Sequence, residues 1–327
     1  MNVLSLLCGA LAPRPLRTVL QMKSYSMLID EIVNFSSKSF QGNITGNTSC
    51  SNCTHPSLCP GNCNGCLTQV HWYTANSTGR QDYNCKNMIL YYCCSFLFQY
   101  ASEIYHLITE SSALKQMGNY RILSLGCGAS PDLVAFEKFV LEVASEKTIQ
   151  YRGFDVNPLW KPVHNHVKTY QSTVIKSIAY QYDDVVRYFN EETFGKVNVL
   201  VLQYLISHFY NTGHIQYIHN FFDNLVERVV LRRNNEEPFI IIINDVNSCN
   251  RGRDFFKELI PKLRQKGLRG QYSQFRFDHP GLNDYQRQYG EAHKNNHIVF
   301  PASRKILSRF NPRLSDCRSA QLLIEVT

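Results

Sequence analysis

Four short runs dense in Val, Leu and Ile, at 121–125, 149–154, 197–203 and 239–244, alternate with stretches long enough to be helices. No other feature constrains the fold as strongly. A run that is apolar at nearly every position, rather than at every second one, belongs to a strand buried on both faces, and helices between such strands cover a parallel sheet on both sides. Helices are expected at about 132–145, 163–179 and 214–232. Further strands at 274–277, 297–300 and 321–326 bring the sheet to seven. The expected class is α/β, a doubly wound and mostly parallel seven-stranded sheet.

The chain ahead of this pattern is different in kind. Residues 22–40 read as an amphipathic helix with Met27, Leu28, Ile32 and Phe35 on one side. Residues 41–83 are rich in Gly, Asn, Ser, Thr and Cys, and have too few aliphatic side chains to build a core without cross-links or metal. A helix apolar on most faces follows at 87–110, and Gly118-Asn119 closes the segment. The division expected is a leader over 1–21, a helical and Cys-rich module over 22–118, and the sheet domain over 119–327, with the module seated over the carboxyl edge of the sheet.

Residues 3–12 are apolar like the centre of a signal peptide but lack a charged start, and the acid-free basic opening (Arg14, Arg17, Lys23) also suits a transit peptide. A dispensable leader and a cytoplasmic location are preferred. The most apolar stretch, 88–108, is interrupted by Gln99, Glu103 and His106, so no membrane span is expected. With 44% hydrophobic residues among 327, a disordered chain is excluded. The net charge of +8 permits a polyanionic partner without requiring one. Its densest source is 228–276, with eleven basic and five acidic residues, where Arg232, Arg233, Arg264, Lys266 and Arg269 would attract phosphates. Tyr272 and Phe275 would offer stacking faces, and the alternative is a solvated helix face.

Eight of the twelve cysteines lie between Cys50 and Cys94. The knuckles Cys50/Cys53 and Cys63/Cys66 each deliver two sulfurs from a tight turn, as a tetrahedral zinc requires, and Cys59 and Cys85 remain for a second site. Two other readings stay open. Cys59, Cys63 and Cys66 have the spacing of an iron–sulfur cluster, although Gly65 stands where an aromatic is usual. Sequons at Asn34, Asn43, Asn47, Asn52 and Asn76 would accord with extracellular disulfides. The paired knuckles favour zinc.

The first strand runs through Leu125 into Gly126-Cys127-Gly128 and then a helix beginning near Asp132. Glycines allow a sharp turn and close approach of a ligand, and the helix start offers unpaired amides. The second strand ends at Asp155, which sets a carboxylate beside that turn at the carboxyl edge, where a ribose diol can donate to it.

On these residues, 119–327 resembles the class I S-adenosylmethionine-dependent methyltransferases. Leu125-Gly126-Cys127-Gly128 matches the family's first motif, and Asp155 its ribose-binding acid. Asp183 or Asp184 matches the acid near the adenine amine, and the fourth motif falls at 203–208. A closing antiparallel pair of strands would end at 322–326. Ser124 and Ser130 depart from the family's acid and third glycine, and no Asn-Pro-Pro-Tyr follows the fourth strand, which speaks against the best-known base-amine methyltransferases.

The resemblance implies an enzyme that binds S-adenosylmethionine through Leu125, Gly126, Cys127, Gly128, Asp132, Asp155, Asp183 and Gln203, with His208 the candidate to take a proton from the acceptor. Asp132 is read either as a contact to the methionine part or as favouring the helix start. Trp160 is read as an adenine stack or a wedge, and Asp245 as a pocket residue or a turn cap. Nucleic acid, RNA first, is placed ahead of protein and small-molecule acceptors. The competing reading is a metal-stapled binding protein without activity.

Overall fold

The computed structural model describes residues 26–46, 50, 53, 55–72, 82–185, 196–248 and 252–326. Eight strands form one sheet: β1 Tyr120–Leu125, β2 Ile149–Phe154, β3 Ile175–Gln181, β4 Val199–Gln203, β5 Phe239–Val246, β6 Gly270–Arg276, β7 Glu291–Ala292 and β8 Ser319–Val326. Their order is β3-β2-β1-β4-β5-β8-β6-β7. The first five are mutually parallel, and β8 lies antiparallel between β5 and β6. The winding reverses between β1 and β4, and such a switch point opens a crevice at the carboxyl ends of the strands.

The doubly wound, mostly parallel sheet agrees with the expectation, but its strand count is eight and not seven. Residues 297–300 form no strand, and the two-residue β7 at 291–292 pairs with β6 instead. The helix expected over 163–179 stops at Thr169, and its second half is β3. Only Ile175 of β3 is buried, because this strand closes one edge of the sheet and has a neighbour on one side alone.

Strand geometry sends successive side chains to opposite faces, so the apolar runs feed two cores at once. Leu123, Leu125, Leu200, Leu202, Ile241 and Ile243 pack beneath the helices Ile215–Arg228 and Leu259–Gln265. Ile122, Tyr151, Val199, Val201, Ile240 and Ile242 face the other way. There they join one continuous core with α1 Leu28–Ser39, α2 Cys63–His71, α3 Lys86–Ser95, α4 Leu97–Glu110, α6 Pro131–Val143 and α7 Lys161–Thr169, while α5 Ser112–Gln116 leads into β1. The helix expected over 87–110 is thus two, broken at Phe96, whose buried ring packs on His71, Tyr92 and Tyr100. The start of α1 is held by Glu137 of α6, whose Oε2 accepts from the Leu28 amide at 2.8 Å.

Many cations of the basic stretch have local partners. Arg253 is buried, donates to Asn247 Oδ1 and the carbonyls of Tyr285 and Gln286, and lies over two tyrosine rings. Lys262 pairs with Asp223 and Lys266 with Glu227. The helices carrying Arg228, Arg264 and Lys266 run back from the carboxyl edge, so these residues stand at the amino edge of the sheet. Among the described residues, no helix is long and apolar enough to cross a membrane.

Candidate active site

The turn after β1 is made by backbone that only small residues adopt cheaply. Gly126 and Gly128 have φ of +69° and +46°, and a Cβ on Gly126 would approach Leu205 Cδ1 to 3.0 Å. Ser130, also left-handed at φ +58°, is buried and shares a hydrogen bond with Tyr180 OH at 2.8 Å. His164 pins the turn from below. Burial pushes its imidazole down to about 4, so it is neutral at pH 7 and its Nε2–H donates to the Gly128 carbonyl at 2.6 Å. Its Nδ1 accepts from Tyr182 OH at 2.9 Å. Nothing in the local sequence of His164 signalled this role.

Asp155 follows β2 and closes the same turn. Its Oδ2 accepts from the Gly128 amide and its Oδ1 from the Asn157 amide, each at 2.9 Å. Burial raises its carboxyl to about 6 against the pull of those two amides. Each oxygen keeps a second lone pair, and Asp155 opens onto a cavity of about 700 Å³ at the carboxyl edge. That volume lies in the range of roughly 300–1,000 Å³ usual for small-ligand sites.

Gly126, Gly128, Asp155, Asp183, Gln203 and His208 all line this cavity. Leu125, Cys127 and Asp132 are not among its lining residues. Leu125 is buried in the core on the far face of the sheet. Cys127 turns beneath the loop, its thiol 4.0 Å from His164 and close enough to Gly153 that a Cβ there would meet it at 2.8 Å. Asp132 is buried beside Tyr151, whose OH donates to Oδ1 at 3.0 Å, and burial raises its carboxyl to about 6. Asp245 is likewise no pocket residue. Its Oδ2 accepts from the Ser207 amide at 3.0 Å and caps the turn after β4.

The cavity is walled partly by the amino-terminal segment. Asp82, Tyr83, Asn84 and Tyr92 line it, and Asn157 Nδ2 donates to the Tyr83 carbonyl at 2.8 Å, tying that segment to the loop after β2. Buried Trp160 lies between, 3.5 Å from where a Gly128 Cβ would stand, so it both wedges the loop and lines the cavity. On the opposite wall Tyr204 holds a left-handed φ of +54°, sets its ring 4.1 Å from that of Tyr100 at a tilt of 34° and donates to Glu103 Oε2 at 2.9 Å. Gln203 Nε2 donates to the Tyr100 carbonyl at 2.8 Å, which fixes the amide's orientation and leaves Oε1 buried without a partner. His208 Nε2 lies 3.5 Å from Asp82 Oδ1, and burial keeps its imidazole below the ordinary value although Asp82 pulls it up.

The thiols of the two expected knuckles lie near one another and near Cys59 and Cys85. Cys50 and Cys63 are 3.9 Å apart through sulfur, Cys59 bonds Cys66 and Cys53, and Cys85 lies close enough to influence Cys63. Burial would raise the Cys59 thiol, but the amides of Gly61 and Cys50 and its thiol neighbours bring it down to about 7. Among the described residues, no three His, Cys, Asp or Glu side chains are arranged to hold a metal ion. The paired-knuckle site is therefore not seen. The cysteines described are free thiols.

No protein-family model matches the chain, and no curated protein does. Several solved structures resemble it weakly. A SAM dependent methyltransferase from Archaeoglobus fulgidus is 12% identical over 69% of this chain and 94% of its own, with a TM-score of 0.37. The plantazolicin methyltransferase BpumL in complex with SAH is 13% identical over 80% of this chain and 94% of its own, with a TM-score of 0.41. MNMC2 from Aquifex Aeolicus is 13% identical over 64% of this chain and 62% of its own, with a TM-score of 0.34.

Proposed function

We propose that the protein is an S-adenosylmethionine-dependent methyltransferase. The observation that carries this is the meeting, in one cavity at the switch point of a parallel sheet, of a two-glycine turn and a carboxylate at the end of the neighbouring strand. The residues fit the group. Side chains at Gly126 and Gly128 would strain the turn and fill its approach, and Asp155 retains acceptor capacity for a ribose diol. Asp183, just after β3, also lines the cavity, and in this reading it would lie near the adenine amine. When bound, the cofactor supplies a methyl carbon activated by a positively charged sulfur. The chain's own part is to hold that carbon in line with an acceptor and exclude water, and positioning of this kind supplies much of the rate. Incubation with methyl-labelled cofactor and separate metabolite, protein and nucleic-acid fractions tests the reading: label must enter one of them, and cofactor binding without transfer to any would favour a binding protein.

The same proposal gives the thiol cluster a structural part. Six cysteines gathered in a segment poor in aliphatic residues are read as a zinc staple for the module, with disulfides and an iron–sulfur cluster as the rival outcomes of metal analysis on the purified protein.

A further inference from the structure

Three residues of the cavity wall, Asp82, Tyr83 and Asn84, lie in the chain between two cysteine-bearing elements: α2, with Cys63 and Cys66, and α3, which Cys85 caps. They form a strap that touches the site on one side and the thiol cluster on the other. On the site side the Tyr83 carbonyl accepts from Asn157 Nδ2 at 2.8 Å, and the Asn157 amide donates to Asp155 Oδ1 at 2.9 Å. The Tyr83 ring lies 6.4 Å from that of Trp160, the residue that backs Gly128, and Asp82 Oδ1 stands 3.5 Å from His208 Nε2. On the thiol side Tyr83 OH shares a hydrogen bond at 3.0 Å with Nε2 of His71, the last residue of α2. The first turn of that helix is where the thiols gather. Cys63 Sγ is 3.9 Å from Cys50 Sγ and near Cys85, and Cys66 is bonded by Cys59. Gly65 lets the segment of Cys59 pack directly on the helix, since a Cβ there would meet Pro60 Cγ at 2.8 Å.

We propose that this strap couples the thiol cluster to the cofactor site: loosening the thiols draws Tyr83 away from Asn157 and weakens cofactor binding, and bound cofactor in turn steadies α2. This rests on the transferase reading above. A helix moves as a stiff unit, so a shift of the sulfurs at its start reaches His71 at its end, and from there the route runs through Tyr83 and Asn157 to Asp155. None of the described residues that line the cavity is a cysteine, so the thiols act on the ligand only through this route. Linkage makes the coupling reciprocal. The factor by which an intact cluster strengthens cofactor binding equals the factor by which bound cofactor stabilises the cluster.

Hydrogen exchange on the full-length protein, read by mass spectrometry with and without saturating S-adenosylhomocysteine, tests the coupling. The ligand should slow exchange at the glycine turn, and also in α2 by about fivefold or more, although no residue of α2 lines the cavity. His71→Phe removes the bond to Tyr83 and keeps a ring against Phe96, which lies 4.9 Å from His71. It should abolish the slowing in α2, preserve it at the glycine turn and weaken S-adenosylhomocysteine about fivefold in calorimetry. Cys66→Ser should weaken the ligand by a similar factor, and the double variant by no more than either alone, because both act through one strap. Should Cys66→Ser not fold, exchange in the unaltered protein and in His71→Phe decides the matter. Unchanged exchange in α2 beside a slowed glycine turn, or losses that add in the double variant, would overturn this inference and leave the transferase reading in place. Failure of S-adenosylhomocysteine to bind the unaltered protein would overturn both.

Discussion

On the proposed cofactor reading, Asp155 has two tasks that pull in opposite directions with pH. Its folded value is raised from 3.8 to about 6 by burial, so protonation favours the folded state: this contribution is fully present below about pH 4 and is lost as pH rises through 6. Ribose recognition needs the carboxylate. Cofactor affinity should therefore be flat above about pH 7 and about tenfold lower one unit below the folded value, and calorimetry across pH should show that slope vanish in Asp155→Asn. Asp155→Ala should lower affinity at pH 7.5 by about ten- to hundredfold, since charge-assisted hydrogen bonds contribute roughly 1.5–3 kcal/mol; unchanged affinity in the same measurement would refute the assignment. In the turn itself, Gly126→Ala should cost stability more than Gly128→Ala. Both carry a left-handed penalty of about 1–2 kcal/mol, but only the first also presses on Leu205. Urea melts of the two variants would rank them. That Asp155 and the two glycines meet at one sheet edge was legible because each directly follows an apolar strand. His164 and Tyr83 were not, because each acts through a contact that only the folded chain creates.

Among the elements, α4 is bound to the sheet by one buried acid. Glu103, 0% exposed, accepts from Tyr204 OH after β4, from Asn244 Nδ2 on β5 and from the Arg318 amide ahead of β8. Replacing it with leucine would take the acceptor from three donors, of which the Asn244 amide is fully buried, and the cost expected is about 1–3 kcal/mol in a urea melt, against a smaller loss for Glu103→Gln. The same acid keeps Tyr204 in its strained backbone, so Glu103→Leu should also disturb the wall of the cavity. Central strands were plain in the sequence because burial on both faces makes them apolar throughout. β3 was hidden by being an edge: Ile175 is followed by exposed Lys176 and Ser177, which prolong a helical pattern as readily as they form a strand. The break at Phe96 had no Gly or Pro to announce it, since ring packing rather than backbone chemistry sets it there.

For the molecule as a whole, the amino-terminal helices share one core with the sheet, so the region they cover has no apolar partner without them. A chain lacking residues 1–118 should be insoluble or bind a hydrophobic dye strongly, because Ile122, Val199 and Ile240 would lie open to water. If zinc staples the module, a chelator should lower its melting temperature and hasten proteolysis within 41–85, whereas an unchanged melt with no metal in the protein would remove that reading. The position of β8 has a consequence for synthesis. The strand that bonds β5 to β6 is the last of the eight to leave the ribosome, so β6 waits on the nascent chain with only β7 beside it. Substitutions in the final strand should then act less by weakening the finished fold than by prolonging the interval in which an open sheet edge can recruit another chain.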